Sequence, residues 1–140
     1  MSHSLLSRPI KPNSEELNFI YDSWLNSWRT SKWAGVVPNH LYYDTQRALI
    51  SGLLERGATL RVVTFASAPD MILGWVCYEY KDGATILHYI YSRDPYLAPD
   101  LTRFLMDTTI GPVGLLTHQQ GNKALRKWKH CPEIARRKSL

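Results

Sequence analysis

Two side chains in neighbouring apolar runs could move a proton: His88, within Ala84–Ser92, and Glu79, near the end of Met71–Tyr80. Alternation along a strand puts His88 on one face with Ile86 and Ile90. A histidine there either works as a base near neutral pH or is a buried group with hydrogen-bond partners of its own. Glu79 is the second candidate base, or an ordinary carboxylate at a strand end. Tyr89 and Tyr91 follow, and tyrosines in a strand pattern are either packing residues or proton donors. The stretch YIYSRDPYLAPDLTRF, residues 89–104, reads as a strand end, a short loop and a helix start, the place where backbone N–H groups can meet an anion. It has no glycine, and Asp100 stands at the far end of its loop. His118, His130 and Cys131 lack metal-ligand spacing, so no metal is expected. No nucleophile elbow, P-loop or dinucleotide fingerprint occurs.

The elements that must position these groups follow from periodicity. Asn13 and Glu16, three residues apart, predict a reciprocal cap on a helix beginning near residue 14. Leu17, Ile20, Tyr21, Trp24, Leu25 and Trp28 fall on one face of it. With Trp33, Tyr42 and Tyr43 they make an aromatic-rich first third, which serves as core or as an anchor for a partner. A loop over Lys32–Asn39 leads to a second helix, Leu41–Arg56, stopped by Gly57. Then come strands Leu60–Ala66, Met71–Tyr80 and Ala84–Ser92, with turns at Ala68-Pro69-Asp70 and Lys81-Asp82-Gly83. A helix over Asp100–Thr109, a strand over Pro112–Thr117 and a helix over Ala124–Lys129 complete the order β-α-α-β-β-β-α-β-α. Pro99 and Asp100 are good helix starters whether or not an anion binds.

The chain has 140 residues, 44% hydrophobic and 11% aromatic, enough for one packed core, so residues 1–140 read as a single mixed α/β (α+β) domain. Two cysteines make no disulfide framework. The apolar runs fall short of the roughly 20 residues a bilayer needs, and Met1–Ser7 lacks a signal layout, so a soluble cytoplasmic protein is expected, without membrane association. Residues 123–140 carry seven lysines and arginines against Glu133, a local +6 within a chain of net +5. Such a basic C-terminal segment is a solvated end or a collector of nucleic acid, an acidic protein or a phosphorylated ligand.

The element order, together with RPIKPNSEELNFIYDSWLNSW, LRVVTF, ILGWVCYEYKDG and ILHYIYSRDPYLAPDLTRFLM, resembles the GCN5-related N-acetyltransferase (GNAT) family over nearly the whole chain. FIYDSWLNSWR with LHYIY and LLTH is also similar to small GNAT-like proteins of tailed phages and prophages, for which the compartment would be the host cytoplasm. The resemblance implies a mostly antiparallel sheet flanked by helices and transfer of an acyl group from acetyl-CoA or another acyl-CoA to an amine acceptor. It makes His88 the first candidate base and Glu79 the second, lets Tyr89 or Tyr91 stand in as the acid, and assigns polarisation of the thioester to the backbone around Tyr91, Ser92 and Arg93.

The family's pyrophosphate loop reads Arg/Gln-x-x-Gly-x-Gly/Ala, and Leu97, Ala98, Pro99, Asp100, Leu101 and Thr102 occupy it here. The arginine and glycines are absent, Pro99 has no N–H, and a carboxylate about 4 Å from a phosphate costs on the order of 1 to 4 kcal/mol. Trp128 stands where the family commonly keeps a tyrosine acid, and an indole cannot release a proton near neutral pH. The resemblance therefore leaves two expectations: an acyl-CoA-dependent enzyme, or a non-catalytic module of the same fold that binds a protein, a phage's host target included, or nucleic acid.

Overall fold

The computed structural model of the chain describes residues 4–10, 14–29, 39–81, 83–111, 113–117 and 129–130. Trp33, His118, Trp128 and Cys131 lie outside them, as does the helix expected from residue 124, except that Lys129–His130 is a strand.

The order is β1 (Leu5–Pro9), α1 (Ser14–Arg29), α2 (Asn39–Glu55), β2 (Thr59–Phe65), β3 (Ala68–Lys81), β4 (Ala84–Ser92), a 3₁₀ turn Pro95–Leu97, α3 (Ala98–Leu105), a π-helical turn Met106–Ile110, β5 (Val113–Leu116) and β6 (Lys129–His130). The strands lie in one sheet in sequence order. β1 to β4 pair antiparallel, and β5 joins β4 in parallel. Helices cover both faces, giving a mixed α+β domain.

The expected α1 face packs as its spacing requires: Ile20, Trp24 and Leu25 are buried against Trp75, Cys77 and Tyr89 on one face of the sheet. On the other face Leu101, Leu105 and Ile110 cover Leu73, Val76, Tyr78, Leu87 and Ile90. One local expectation needs correcting, and Asn13 of the expected cap lies outside the described residues. Glu16 forks onto Arg8, with Nη1 at 3.1 Å and Nη2 at 2.7 Å, because β1 brings that guanidinium beside the start of α1. Ala68–Asp70 continue β3 instead of turning, since Ala66 and Ser67 make the reversal.

α2 ends as Gly57 predicts. Gly57 adopts φ +102°, its N–H donates to Leu54 O at 3.1 Å, and Ala58 N–H donates to Leu53 O at 2.9 Å. This left-handed cap favours a residue without Cβ and leaves Arg56 in the turn just past the end of α2.

Among the described residues, no helix is long and apolar enough to cross a membrane.

Candidate functional site

The hairpin between β3 and β4 brings the two candidate bases together. Glu79 is opposite Ile86, two residues from His88 along the neighbouring strand. Between the pairs Cys77–Tyr89 and Tyr78–Leu87 the register slips by one, and His88 is the residue left over. This β-bulge corrects the expected strand period. Ile90 packs on the α3 side, whereas His88 turns toward Glu79 and the end of α2.

His88 Nε2 lies 2.5 Å from Glu79 Oε1, and His88 Nδ1 lies 2.9 Å from Thr117 Oγ1 at the end of β5. Arg56 closes the chain: its Nε donates to Glu79 Oε1 at 3.0 Å and its Nη2 to the same oxygen at 2.5 Å. The His88 ring is 0% exposed, and the Arg56 and Glu79 side chains are 5% and 6% exposed. An ionised carboxylate only accepts, so Nε2 carries the ring proton and Nδ1 of the neutral ring accepts a hydrogen bond from the Thr117 hydroxyl.

Arg56 and Thr117 carry no sequence signal of chemistry by themselves. Arg56 was findable as the residue before the helix-stopping Gly57. The Asp-Gly turn implies a hairpin register that places Glu79 near His88. Thr117 comes into reach only because Thr117 N–H donates to Leu87 O at 3.0 Å, the last step of the β4–β5 pairing.

Burial pushes the His88 pKa below its ordinary 6.5, and Glu79 only partly offsets this. Burial alone would raise the Glu79 carboxyl, but hydrogen bonds from Arg56 and His88 with their charges hold it below its ordinary 4.5. Both folded-state values lie below the unfolded ones, so the unfolded chain binds more protons and acid favours it. Stability should therefore fall as pH drops below 6.5 through the His88 value, and again below 4.5 as Glu79 titrates. Thermal melts from about pH 8 to about pH 3 test this, and His88→Gln should abolish the upper step while leaving the lower one.

Burial also raises the Cys77 thiol far above its ordinary range, which leaves it an unreactive core group. Among the described residues, no group of three His, Cys, Asp or Glu side chains could hold a metal ion.

The other expected site residues are placed differently. Tyr91 stacks on Trp75 with ring centroids 5.8 Å apart and meets Phe19 edge-on at 6.1 Å. Arg93 lays its guanidinium over Phe19 at 5.3 Å, and its N–H donates to Leu73 O at 2.7 Å, so that N–H continues the sheet instead of facing a thioester. Ser92 Oγ donates to Asp94 O at 2.6 Å.

Acyl-CoA can be tested against the loop's donors. Tyr96 N–H donates to Asp94 Oδ1 at 2.9 Å, Leu97 N–H to Asp94 O at 3.0 Å, Ala98 N–H to Pro95 O, and Pro99 has none. Four consecutive positions thus have no N–H to give a phosphate. Asp100 is 73% exposed in the first turn of α3, paired with Arg103 at 3.3 Å. Leu101 and Thr102 are buried; Thr102 Oγ1 donates to Ala98 O at 2.7 Å, and Leu101 is an apolar side chain with no donor for a phosphate. These residues do not fit a pyrophosphate.

No protein-family model matches the chain, and no curated protein matches it. Among solved structures it is similar to a possible acetyltransferase from Clostridium difficile 630, at 17% identity over 89% of this chain and 85% of that one, with a TM-score of 0.49. That likeness is too loose to carry an activity or a substrate across.

Proposed function

We propose that the protein is a GNAT-like acyltransferase that passes an acyl group from a thioester to an amine, with a β4–α3 loop that does not grip a donor's pyrophosphate. The hydrogen-bonded chain Thr117–His88–Glu79–Arg56, at the point where β5 stops pairing with β4, carries this reading. Amine acylation joins nitrogen to the acyl carbon and frees a thiol, so a proton must leave the nitrogen. Thr117 is 2% exposed and must be uncovered for an amine to reach it; its Oγ1 then takes that proton as its own moves to His88 Nδ1, and Glu79, fixed by Arg56, stabilises the imidazolium that results. The arrangement has the logic of a hydroxyl, a base and an orienting carboxylate. Burial keeps His88 neutral below its ordinary range, so the base form persists into mildly acidic pH.

A second reading, a non-catalytic module that binds a protein or nucleic acid, is favoured by one observation. Both ring nitrogens of His88 are engaged and the ring has no exposed surface.

Turnover of acetyl-CoA and of S-acetylpantetheine, which lacks the pyrophosphate, with a panel of amines separates these. Comparable kcat/KM for the two donors, within about tenfold, is expected, with a loss of roughly 10²-fold in His88→Gln, the usual contribution of a general base. A strong preference for acetyl-CoA would overturn the loop assignment. No turnover of either donor would overturn the enzyme and favour the binding module.

A further inference from the structure

On the α3 face of the sheet, away from Glu79 and His88, a groove of about 380 Å³ runs between β1, β2 and the turn after α3, with Ser7, Arg61, Tyr78, Phe104, Thr108 and Thr109 in its walls. Its volume is in the range of small-molecule sites. Arg61 is half-buried there, and its Nε donates to Ser7 Oγ at 2.9 Å while Nη2 donates to Ser7 O at 3.0 Å. These two bonds fix the plane of the guanidinium. Arg8, Arg56 and Arg103 each pair with a carboxylate, but no carboxylate among the described residues pairs with Arg61. The bonds to Ser7 leave both N–H groups of Nη1 and one of Nη2, the end-on fork that matches a carboxylate bidentately.

The rest of the wall narrows the ligand further. Phe104, with Leu5 beside it, offers apolar surface for a hydrocarbon stem. Thr108 Oγ1 donates to Phe104 O at 2.7 Å and lies 3.1 Å from Thr109 Oγ1, so these hydroxyl protons are committed within the turn and the anion's recognition falls to the Arg61 fork. Both threonines stand in the π-helical turn Met106–Ile110, and such turns recur at functional sites. Among the described residues Arg61 is the one charged side chain lining the groove, and one cation balances a carboxylate but leaves a dianionic phosphate half-neutralised.

We infer that this groove is a binding site for a small organic carboxylate with an apolar stem. The site is independent of the acyl-transfer reading, since it lies on the opposite face of the sheet and uses none of the same residues.

Titration of ¹⁵N-labelled protein with hexanoate, hexanol and inorganic phosphate tests it, following the Arg61 Nε–H and the Thr108 and Thr109 amides. Hexanoate should shift these signals saturably with a Kd on the order of millimolar, as so small a ligand allows, and hexanol and phosphate should bind about tenfold more weakly or not at all. Arg61→Gln should lose the response. Arg61→Lys, which keeps the charge without the fork, should weaken it several-fold and serves as the check if the glutamine variant unfolds. No saturable shift with hexanoate, undiminished binding to both variants, or phosphate or hexanol binding as tightly as hexanoate would overturn the assignment.

Discussion

Glu79→Ala is expected to lower the stability of the fold by about 3–5 kcal/mol, the usual consequence of stranding one charge of a buried ion pair. The Arg56 side chain is 5% exposed and would be left without the carboxylate that receives its Nε and Nη2, while His88 Nε2–H would lose its acceptor. Arg56→Met should cost a similar amount, because it leaves the Glu79 carboxylate buried with only a neutral imidazole beside it. The double variant should cost clearly less than the two single losses together, since residues in one network do not act independently. Guanidinium unfolding of the three variants measures this. A loss below about 1 kcal/mol for Glu79→Ala would mean that water reaches the pair, as at an exposed salt bridge.

This network also shows how far the sequence could be read. Apolar periodicity located α1, and Gly57 located the end of α2, because both signals are local: a 3.6-residue stripe and a backbone angle that few residues other than glycine adopt. The bulge at His88 is not local. It depends on how β4 registers against β3, and one extra residue changes which face His88 joins. Two residues read as alternative bases therefore stand as a bonded pair, with Arg56 brought in from the helix end that Gly57 marks and Thr117 added by the β4–β5 pairing.

The β4–α3 loop was legible in its composition and only partly in its consequence. Lack of glycine and the presence of Pro99 argue for a poor phosphate cradle. That Asp94 would take the Tyr96 N–H, and that its carbonyl would take the Leu97 N–H, needed the 3₁₀ turn to be seen. The loop closes on itself, so the helix start is stable without an anion. Arg61 gave no sequence signal, because an arginine in an alternating strand is ordinary until its lack of a carboxylate is known.

Gly74→Ala should be among the most disruptive single-atom additions in the described fold. A Cβ there would fall 2.2 Å from Tyr91 O and 2.8 Å from Leu101 Cδ1. The leucine methyl could rotate aside, but the carbonyl belongs to the backbone of β4, held between β3 and the core. The strand must then move or the pairing of Gly74 with Ser92 must break. A loss at or above the upper end of the 1–3 kcal/mol typical of overpacking is expected, roughly 3 kcal/mol or more. Gly52→Ala is the control, because nothing lies within 4 Å of its added Cβ and it sits inside α2. It should stabilise by about 0.5–1 kcal/mol through helix propensity. If Gly74→Ala unfolds at the same denaturant concentration as the parent, the close approach of β3 to β4 is wrong. If it destabilises as expected, the backbone contact that lets Leu101 settle on β3 also fixes where α3 begins, and with it the closed geometry of the loop.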